Sequence, residues 1–238
     1  MKIALLGYGK MGKTIEKIAV ERGHSIVLKV GKNDKDYDIT SADVAIDFSI
    51  PDAAVDNISK CLHASIPIIC GTTGWLSQFD NMVALCNKTK GAFIYASNFS
   101  LGVNLFFELN KKLAQMMKPL DAYTVGIEEI HHLQKLDAPS GTAITLADDI
   151  IANSDKSKWV LDGNNDRSNH SHQTIPIVAK RAPEVPGTHT IHYESEVDTI
   201  SIKHTAHNRH GFALGAVVAA EWLQNKSGVF TMKDVLGL

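Results

Sequence analysis

The chain opens on a short apolar run, Lys2–Leu6, that passes directly into Gly7-Tyr8-Gly9-Lys10-Met11-Gly12. Beyond this turn Met11, Ile15, Ile18 and Ala19 recur at helical spacing. Strand, glycine turn and helix in this order are what a dinucleotide-binding βα unit requires. Gly7 permits the tight turn, Gly9 lets a pyrophosphate approach the backbone, and Gly12 lets the helix pack on the strand. The pattern predicts a nucleotide-binding Rossmann unit; a glycine turn that binds nothing is the plain alternative.

The same alternation continues through the first hundred residues. Ser25–Val30, Val44–Asp47, Ile66–Cys70 and Ala92–Ala96 read as further strands, with helical stretches near Ala53–Leu62 and Leu76–Lys88. Strands that alternate with helices predict a parallel, doubly wound sheet. Ligands of such sheets bind beyond the carboxyl ends of the strands. Three consecutive ends carry Asp47-Phe48-Ser49, Gly71-Thr72-Thr73-Gly74 and Ser97-Asn98-Phe99-Ser100, which we expect to line one crevice. Ordinary turn chemistry would use the same residue types.

Beyond residue 100 the pattern changes. Leu101–Met117 reads as a long helix, and Thr124–Glu129, Gln173–Val178, Thr188–Ser195 and Thr199–Lys203 as strands with few helices between them. This grammar predicts a second, α+β domain built on an open mixed or antiparallel sheet. Asp162 to His170 reads as an exposed loop. Phe212–Gln224, with Ala213, Ala216, Ala219 and Ala220, reads as a closely packing helix.

Residues 127 to 143, Ile-Glu-Glu-Ile-His-His-Leu-Gln-Lys-Leu-Asp-Ala-Pro-Ser-Gly-Thr-Ala, concentrate titratable groups in one stretch. A strand precedes them, and Leu146, Ile150 and Ile151 follow at helical spacing. His131, His132 and Lys135 are therefore expected on the loop that leaves the strand, and Ser140, Gly141 and Thr142 at the start of a helix. Unpaired N–H groups and partial positive charge make that start a seat for a carboxylate or phosphate, with Lys135 adding a full charge beside it. The bland reading is a surface loop and a helix capped by Ser140.

Composition narrows the class. With 238 residues, 44% hydrophobic, the chain can bury a sizeable core. A net charge of −2 supplies no electrostatic reason for nucleic acid or an anionic membrane as partner. Met1-Lys2-Ile3 leads into a strand rather than a signal peptide, and no apolar stretch reaches membrane-span length, so a cytoplasmic protein is expected. Cys61, Cys70 and Cys86 lack Cys-x-x-Cys spacing and are expected as buried free thiols. Nine of the eleven histidines fall at or after residue 131, and His204-x-x-His207-x-x-His210 has the look of a ligand cluster. If the stretch is part strand and part turn its rings need not share a face, and no metal is expected.

Glu-Ile-His-His-x-x-Lys-x-Asp-Ala-Pro-Ser-Gly-Thr-Ala at 129 to 143 resembles the signature of the dihydrodipicolinate reductase family. The resemblance extends to the glycine loop, the three strand-end turns and His204-x-Ala-x-x-Arg209-x-x-Phe-Ala-x-Gly215-Ala, and so spans essentially the whole chain. It implies an α/β protein with an N-terminal Rossmann-type doubly wound parallel sheet and a smaller α+β domain with an open mixed sheet. The dinucleotide-binding part is then 1–100, completed by the C-terminal helix region 209–238, and 101–208 binds substrate and drives oligomerisation. The implied reaction is NADPH- or NADH-dependent reduction of 4-hydroxy-tetrahydrodipicolinate, a small cyclic imine with two carboxylates, with loss of water. Hydride addition leaves an electron-rich enamine that a nearby acid must protonate.

Residue by residue, the resemblance implies proton-transfer roles for His131 and Lys135, and substrate binding by His132, Ser140, Gly141 and Thr142. The implied cofactor contacts are Gly7, Tyr8, Gly9, Lys10, Met11 and Gly12, then Phe48, Gly71, Thr72, Thr73, Ala96, Ser97, Asn98 and Phe99; Lys32 joins them from its place after the second strand. It also implies a homotetramer formed through the second domain's sheets. One departure concerns the ribose. NAD-binding folds place an acid at the end of the second strand, whereas Lys29-Val30-Gly31-Lys32-Asn33 stands here. Lys32 suits a 2′-phosphate and leans toward NADPH; the alternative brings Asp34 or Asp36 to the ribose.

Overall fold

The N-terminal apolar run becomes β1 (Lys2–Leu6), in which only Lys2 is exposed. A strand with both faces buried must be covered on each side, and β1 lies inside a six-stranded sheet. In chain order its other strands are β2 (Ser25–Val30), β3 (Val44–Asp47), β4 (Ile68–Cys70), β5 (Ala92–Tyr95) and β11 (Gly228–Phe230). They pair in parallel in the order β11-β5-β4-β3-β1-β2. The computed structural model of the chain describes every residue except 33, 35, 163–170 and 209.

Helices α1 (Lys10–Glu21), α2 (Pro51–His63) and α3 (Phe79–Thr89) connect these strands, and α6 (His210–Leu223) and α7 (Met232–Leu236) complete the same unit. Ala213, Ala216, Ala219 and Ala220 of α6 are buried in one cluster with Ile3, Leu5 and Ile15. Side chains that small let α6 approach closely, and Gly215 takes this to the limit: a Cβ there would sit 1.7 Å from the Phe99 carbonyl oxygen. Glu221 of α6 accepts both Arg22 Nε and Arg22 Nη2, at 2.8 and 2.7 Å, and lies 2.8 Å from His24 Nε2, tying α6 to the end of α1. Strand order reverses at β1, with β3 on one side and β2 on the other. In open α/β sheets a ligand binds beyond the carboxyl ends of the strands at such a point.

The chain divides into two compact units, residues 1–104 with 209–238, and Leu105–Asn208. The second holds most of α4 (Leu101–Met117), α5 (Gly141–Asn153) and β6 (Thr124–His131), β7 (Lys158–Leu161), β8 (Thr174–Arg181), β9 (Gly187–Glu194) and β10 (Thr199–Ala206). These strands form a sheet in the order β10-β9-β6-β8-β7. It is mixed: β9 is antiparallel to both β10 and β6, whereas β8 runs parallel to β6 and β7. Period-2 alternation turns Val125 and Ile127 of β6 to the same face as Ile175 and Ile177 of β8 and Ile191 and Tyr193 of β9. Helix α5 covers that face with Ala143, Leu146, Ala147 and Ile150.

Most expected elements are present, with three short ones unanticipated. Strands β7 and β11 and helix α7 span only four, three and five residues, too short for periodicity to show. The expected strand over Ile66–Cys70 begins at Ile68. The three cysteines are free and buried, as expected. The loop expected at Asp162 to His170 lies, beyond Asp162, outside the described residues, as does Arg209 of the closing motif. No helix among the described residues is long and apolar enough to cross a membrane.

Candidate active site

In the first unit Gly7 adopts φ +94°, and a Cβ there would lie 2.2 Å from the Phe48 carbonyl oxygen, so the turn requires glycine. Gly7 and Tyr8 both donate their N–H to the Val30 carbonyl, which pins the turn to the end of β2. Among the described residues, by contrast, a Cβ on Gly9 would meet nothing within 4 Å, and no side chain caps α1. The open N-terminus of α1, with its backbone N–H groups and partial positive charge, therefore faces free space where a pyrophosphate fits.

A cleft of about 680 Å³ runs from this turn and is lined by Gly7, Tyr8, Gly9, Lys32, Asp34 and Phe48, among others. Tyr8 forms one wall. Its hydroxyl donates to Glu16, and Lys29, paired with Glu16 at 2.6 Å, lies over its ring. At the end of β2 the Asp34 carboxylate accepts the Gly31 N–H at 2.8 Å, while Lys32 stands exposed beside it. Both ribose readings of the sequence thus have their residue in the cleft. The unit offers what a dinucleotide needs: an open helix start, a groove of sufficient size and groups for the ribose.

The turns after β3, β4 and β5 meet in this unit. Asp47 is fully buried and accepts Thr72 Oγ1 at 2.6 Å and Asn57 Nδ2 at 2.7 Å. Burial pushes its carboxyl above the ordinary range, against the pull of these donors. The Ser49 N–H in turn donates to Thr72 Oγ1, locking the Asp47-Phe48-Ser49 turn to the Gly71-Thr72 turn. The Phe48 ring fills the space where Gly71 would carry a Cβ and packs 5.7 Å from the Phe99 ring. The structure consequently sorts the expected cofactor contacts. Gly7, Tyr8, Gly9, Lys32 and Phe48 line the cleft, and Lys10, Thr73 and Ser97 are exposed. Met11, Gly71, Ala96 and Asn98 are half-buried, and Gly12 is buried against the Gly7 carbonyl. Thr72 and Phe99 are buried, Thr72 donating to Asp47 and Phe99 packed on Phe48, and neither lines the cleft.

In the second unit the alternation that buries Val125 and Ile127 continues to Glu129 and His131. β6 extends through His131, which pairs with Arg181 of β8. His131 is therefore the last residue of a strand, not the first of a loop as the sequence suggested, because β8 carries its parallel pairing that far. Opposite it, register sets Glu129 against His189 of β9. Glu129, His131, Arg181 and His189 form the polar end of an otherwise apolar sheet face.

Glu129 is the hub. Its side chain is wholly buried, and it accepts the Ser140 N–H on both oxygens at 3.1 Å and Arg181 Nη1 and Nη2 at 3.4 Å. His131 Nδ1 lies 3.3 Å from it, and His189 Nε2 3.7 Å. Burial alone would raise its pKa, but His131 and Ser140 outweigh burial and hold the carboxyl down at about 2. His189, desolvated and beside His131, is pushed down to about 4; its Nε2 lies 3.0 Å from Ser140 Oγ. Gly187 leaves room for the His131 ring, since a Cβ there would stand 3.0 Å from His131 Nε2. Glu129, His131 and His189 come close enough to hold a metal ion. Yet the Glu129 oxygens already accept a backbone N–H and a guanidinium, a donor set suited to an ion pair rather than a cation. His204 of the sequence's histidine trio packs on Phe106 instead.

Ser140 caps α5 as expected. Its Oγ accepts the Ala143 N–H at 3.2 Å, and its carbonyl accepts the Ile144 N–H. With the Ser140 N–H on Glu129, the N–H groups of Gly141 and Thr142 have no acceptor among the described residues, and a Cβ on Gly141 would meet nothing within 4 Å. The anion seat expected from the sequence is thus an open one. His132 Nδ1 is buried without a partner among the described residues, and Lys135 Nζ donates to both Asp137 oxygens at 2.8 Å.

Two family descriptions cover the chain almost end to end: Dihydrodipicolinate reductase, N-terminus, matches residues 1–99, and Dihydrodipicolinate reductase, C-terminus, matches 102–236. The chain belongs to the dihydrodipicolinate reductase family. A 4-hydroxy-tetrahydrodipicolinate reductase of Christiangramia forsetii is 58% identical, over 99% of this chain and 98% of its own. One from Neisseria meningitidis serogroup B is 34% identical, over 94% and 84%. A dipicolinate-bound dihydrodipicolinate reductase from Paenisporosarcina sp. TG-14 superposes with a TM-score of 0.77 over 97% of both chains at 23% identity, a likeness of fold.

Within this family frame, sequence reasoning passed over Glu129, Arg181 and His189. The signal for Glu129 was present: it occupies the inward register of a strand whose other inward residues are Val125 and Ile127. Arg181 and His189 lie far along the chain from Glu129, and only strand register brings them together.

Proposed function

We propose that this chain reduces 4-hydroxy-tetrahydrodipicolinate to tetrahydrodipicolinate with loss of water, using NADH or NADPH, in diaminopimelate and lysine biosynthesis. The observation that carries this reading is 58% identity over 99% of the chain to a relative of that activity. A bound reduced nicotinamide supplies the hydride. The rest is done by the chain's own residues. The cleft with Gly7, Tyr8, Gly9 and Lys32 holds the dinucleotide, its pyrophosphate at the start of α1. The Gly141 and Thr142 N–H groups, the α5 dipole and Lys135 hold a substrate carboxylate. His131 and Lys135 are the groups that move the proton, and His132 binds the ring beside them. Residues 1–100 with 209–238 then serve the cofactor and 101–208 the substrate. Two further expectations remain part of the proposal: a cytoplasmic location and a homotetramer joined through second-unit sheets.

Oxidation of NADPH by the purified chain, followed by absorbance with the substrate present and absent, tests the reading. Substrate-dependent oxidation is expected. Its absence with both NADH and NADPH overturns the assignment.

A further inference from the structure

The loop that carries Lys135 has little to hold it. Leu133 and Leu136, its large apolar side chains, are 59% and 97% exposed, and inside the loop the Lys135 N–H donates to the His132 carbonyl. Among the described residues, side-chain bonds from the sheet to this loop's backbone come from one guanidinium. Arg181, the last residue of β8, donates Nε to the Lys135 carbonyl at 3.3 Å and Nη2 to the Asp137 carbonyl at 2.7 Å. The same side chain meets the buried Glu129 carboxylate at 3.4 Å and the Lys180 carbonyl at 2.7 Å. The Asp137 carboxylate then grips Lys135 Nζ with both oxygens.

We propose that Arg181 is a positioning residue for Lys135, clamping the backbone of its loop to the carboxylate that also meets His131 and the N-cap of α5. The two proton-moving side chains and the anion seat are thereby referenced to one buried charge. The fork geometry is what the task demands. Two carbonyls and a carboxylate are reached from one planar cation, and an ammonium at the same place, a single point charge, cannot span all three. Because neither leucine of the loop is anchored and burial resumes only at Pro139, losing the fork frees Lys135 without unpacking the α5 core, and small misplacement of a reacting group costs up to about a hundredfold in rate.

The proposal rests on Lys135 acting in turnover, so the test separates the two claims. The full chain is assayed as wild type, Arg181→Lys, Lys135→Ala and the double variant, with kcat and KM for substrate and NADPH. Arg181→Lys is expected to lower kcat roughly tenfold or more with an unchanged KM for NADPH, yet to change kcat less than about twofold when Lys135 is already alanine. Full additivity of the two effects overturns the positioning role. If Lys135→Ala alone leaves kcat intact, the proton-donor reading fails, and amide hydrogen exchange decides the clamp by itself. Arg181→Lys must then speed exchange over residues 132–138 while β6 and α5 keep their protection. Unchanged exchange in the loop, or a uniform rise throughout the chain, overturns it.

Discussion

At the scale of single residues, the proposed second-unit site separates groups that react from groups that hold. His131→Ala and Lys135→Ala are each expected to lower kcat by about two orders of magnitude, the usual size of a lost proton-transfer role. Thr142→Val should instead raise the substrate KM, because it disturbs the carboxylate seat without removing a proton donor. Steady-state kinetics on the three variants distinguishes these patterns. Lys32 and Asp34 share the far end of the dinucleotide cleft. An exposed lysine beside a 2′-phosphate contributes about 1 kcal/mol, so a modest NADPH preference is expected, about tenfold or less. Lys32→Glu should reverse it, and an unmoved ratio of kcat/KM for NADH and NADPH would show that Lys32 does not read the cofactor.

His189 also makes stability depend on pH. Its pKa falls from an ordinary 6.5 to about 4 on folding, so the native state favours the neutral ring. The resulting stability is fully present above pH 6.5 and is lost as pH falls toward 4, up to about 3 kcal/mol in all. Glu129, held at about 2, adds its own loss only below its unfolded value of 4.5. Thermal melts of wild type and His189→Gln between pH 7 and 4 check this; the variant should show the shallower fall.

At the scale of elements, helix starts and strand ends carry the candidate site's residues, and small residues decide how near the elements come. Gly215 lets α6 press on the turn after β5, where Phe99 sits buried. Gly215→Ala forces a methyl group into the Phe99 carbonyl and is expected to cost about 3 kcal/mol, roughly 10 °C in Tm. A melt within a degree or two of wild type would contradict that packing. The elements most legible in the sequence were those with long periodic patterns: β1 with α1, α5 and the mixed sheet's longer strands. Three-to-five-residue elements such as β11 and α7 carry no readable period, since the sheet edge and the packed helix above them decide whether they form.

At the scale of the whole molecule, the second unit's sheet ends on β10, whose residues are all exposed or half-exposed, and on β7. Unpaired strand edges of this kind invite self-association, which is the physical support for the proposed homotetramer. Sedimentation at micromolar concentration should return four times the mass of 25.9 kDa. A monomer would refute that assembly.

The sequence alone determined what local pattern can encode: the glycine turn between β1 and α1, the α/β alternation, the change of grammar after residue 100 and the Ser140-capped start of α5. Each depends on residues within a few positions of one another, and there steric and hydrogen-bonding preferences act directly. Tertiary structure decided the rest. It placed His131 in the strand, because β8 pairs that far. It turned Thr72 and Phe99 inward and made Asp47 and Glu129 buried hubs. Arg181 reaches Glu129 across 52 residues and His189 reaches Ser140 across 49. No local preference selects partners so distant; the register of packed strands does, and the cost of burying an unpaired carboxylate holds them there.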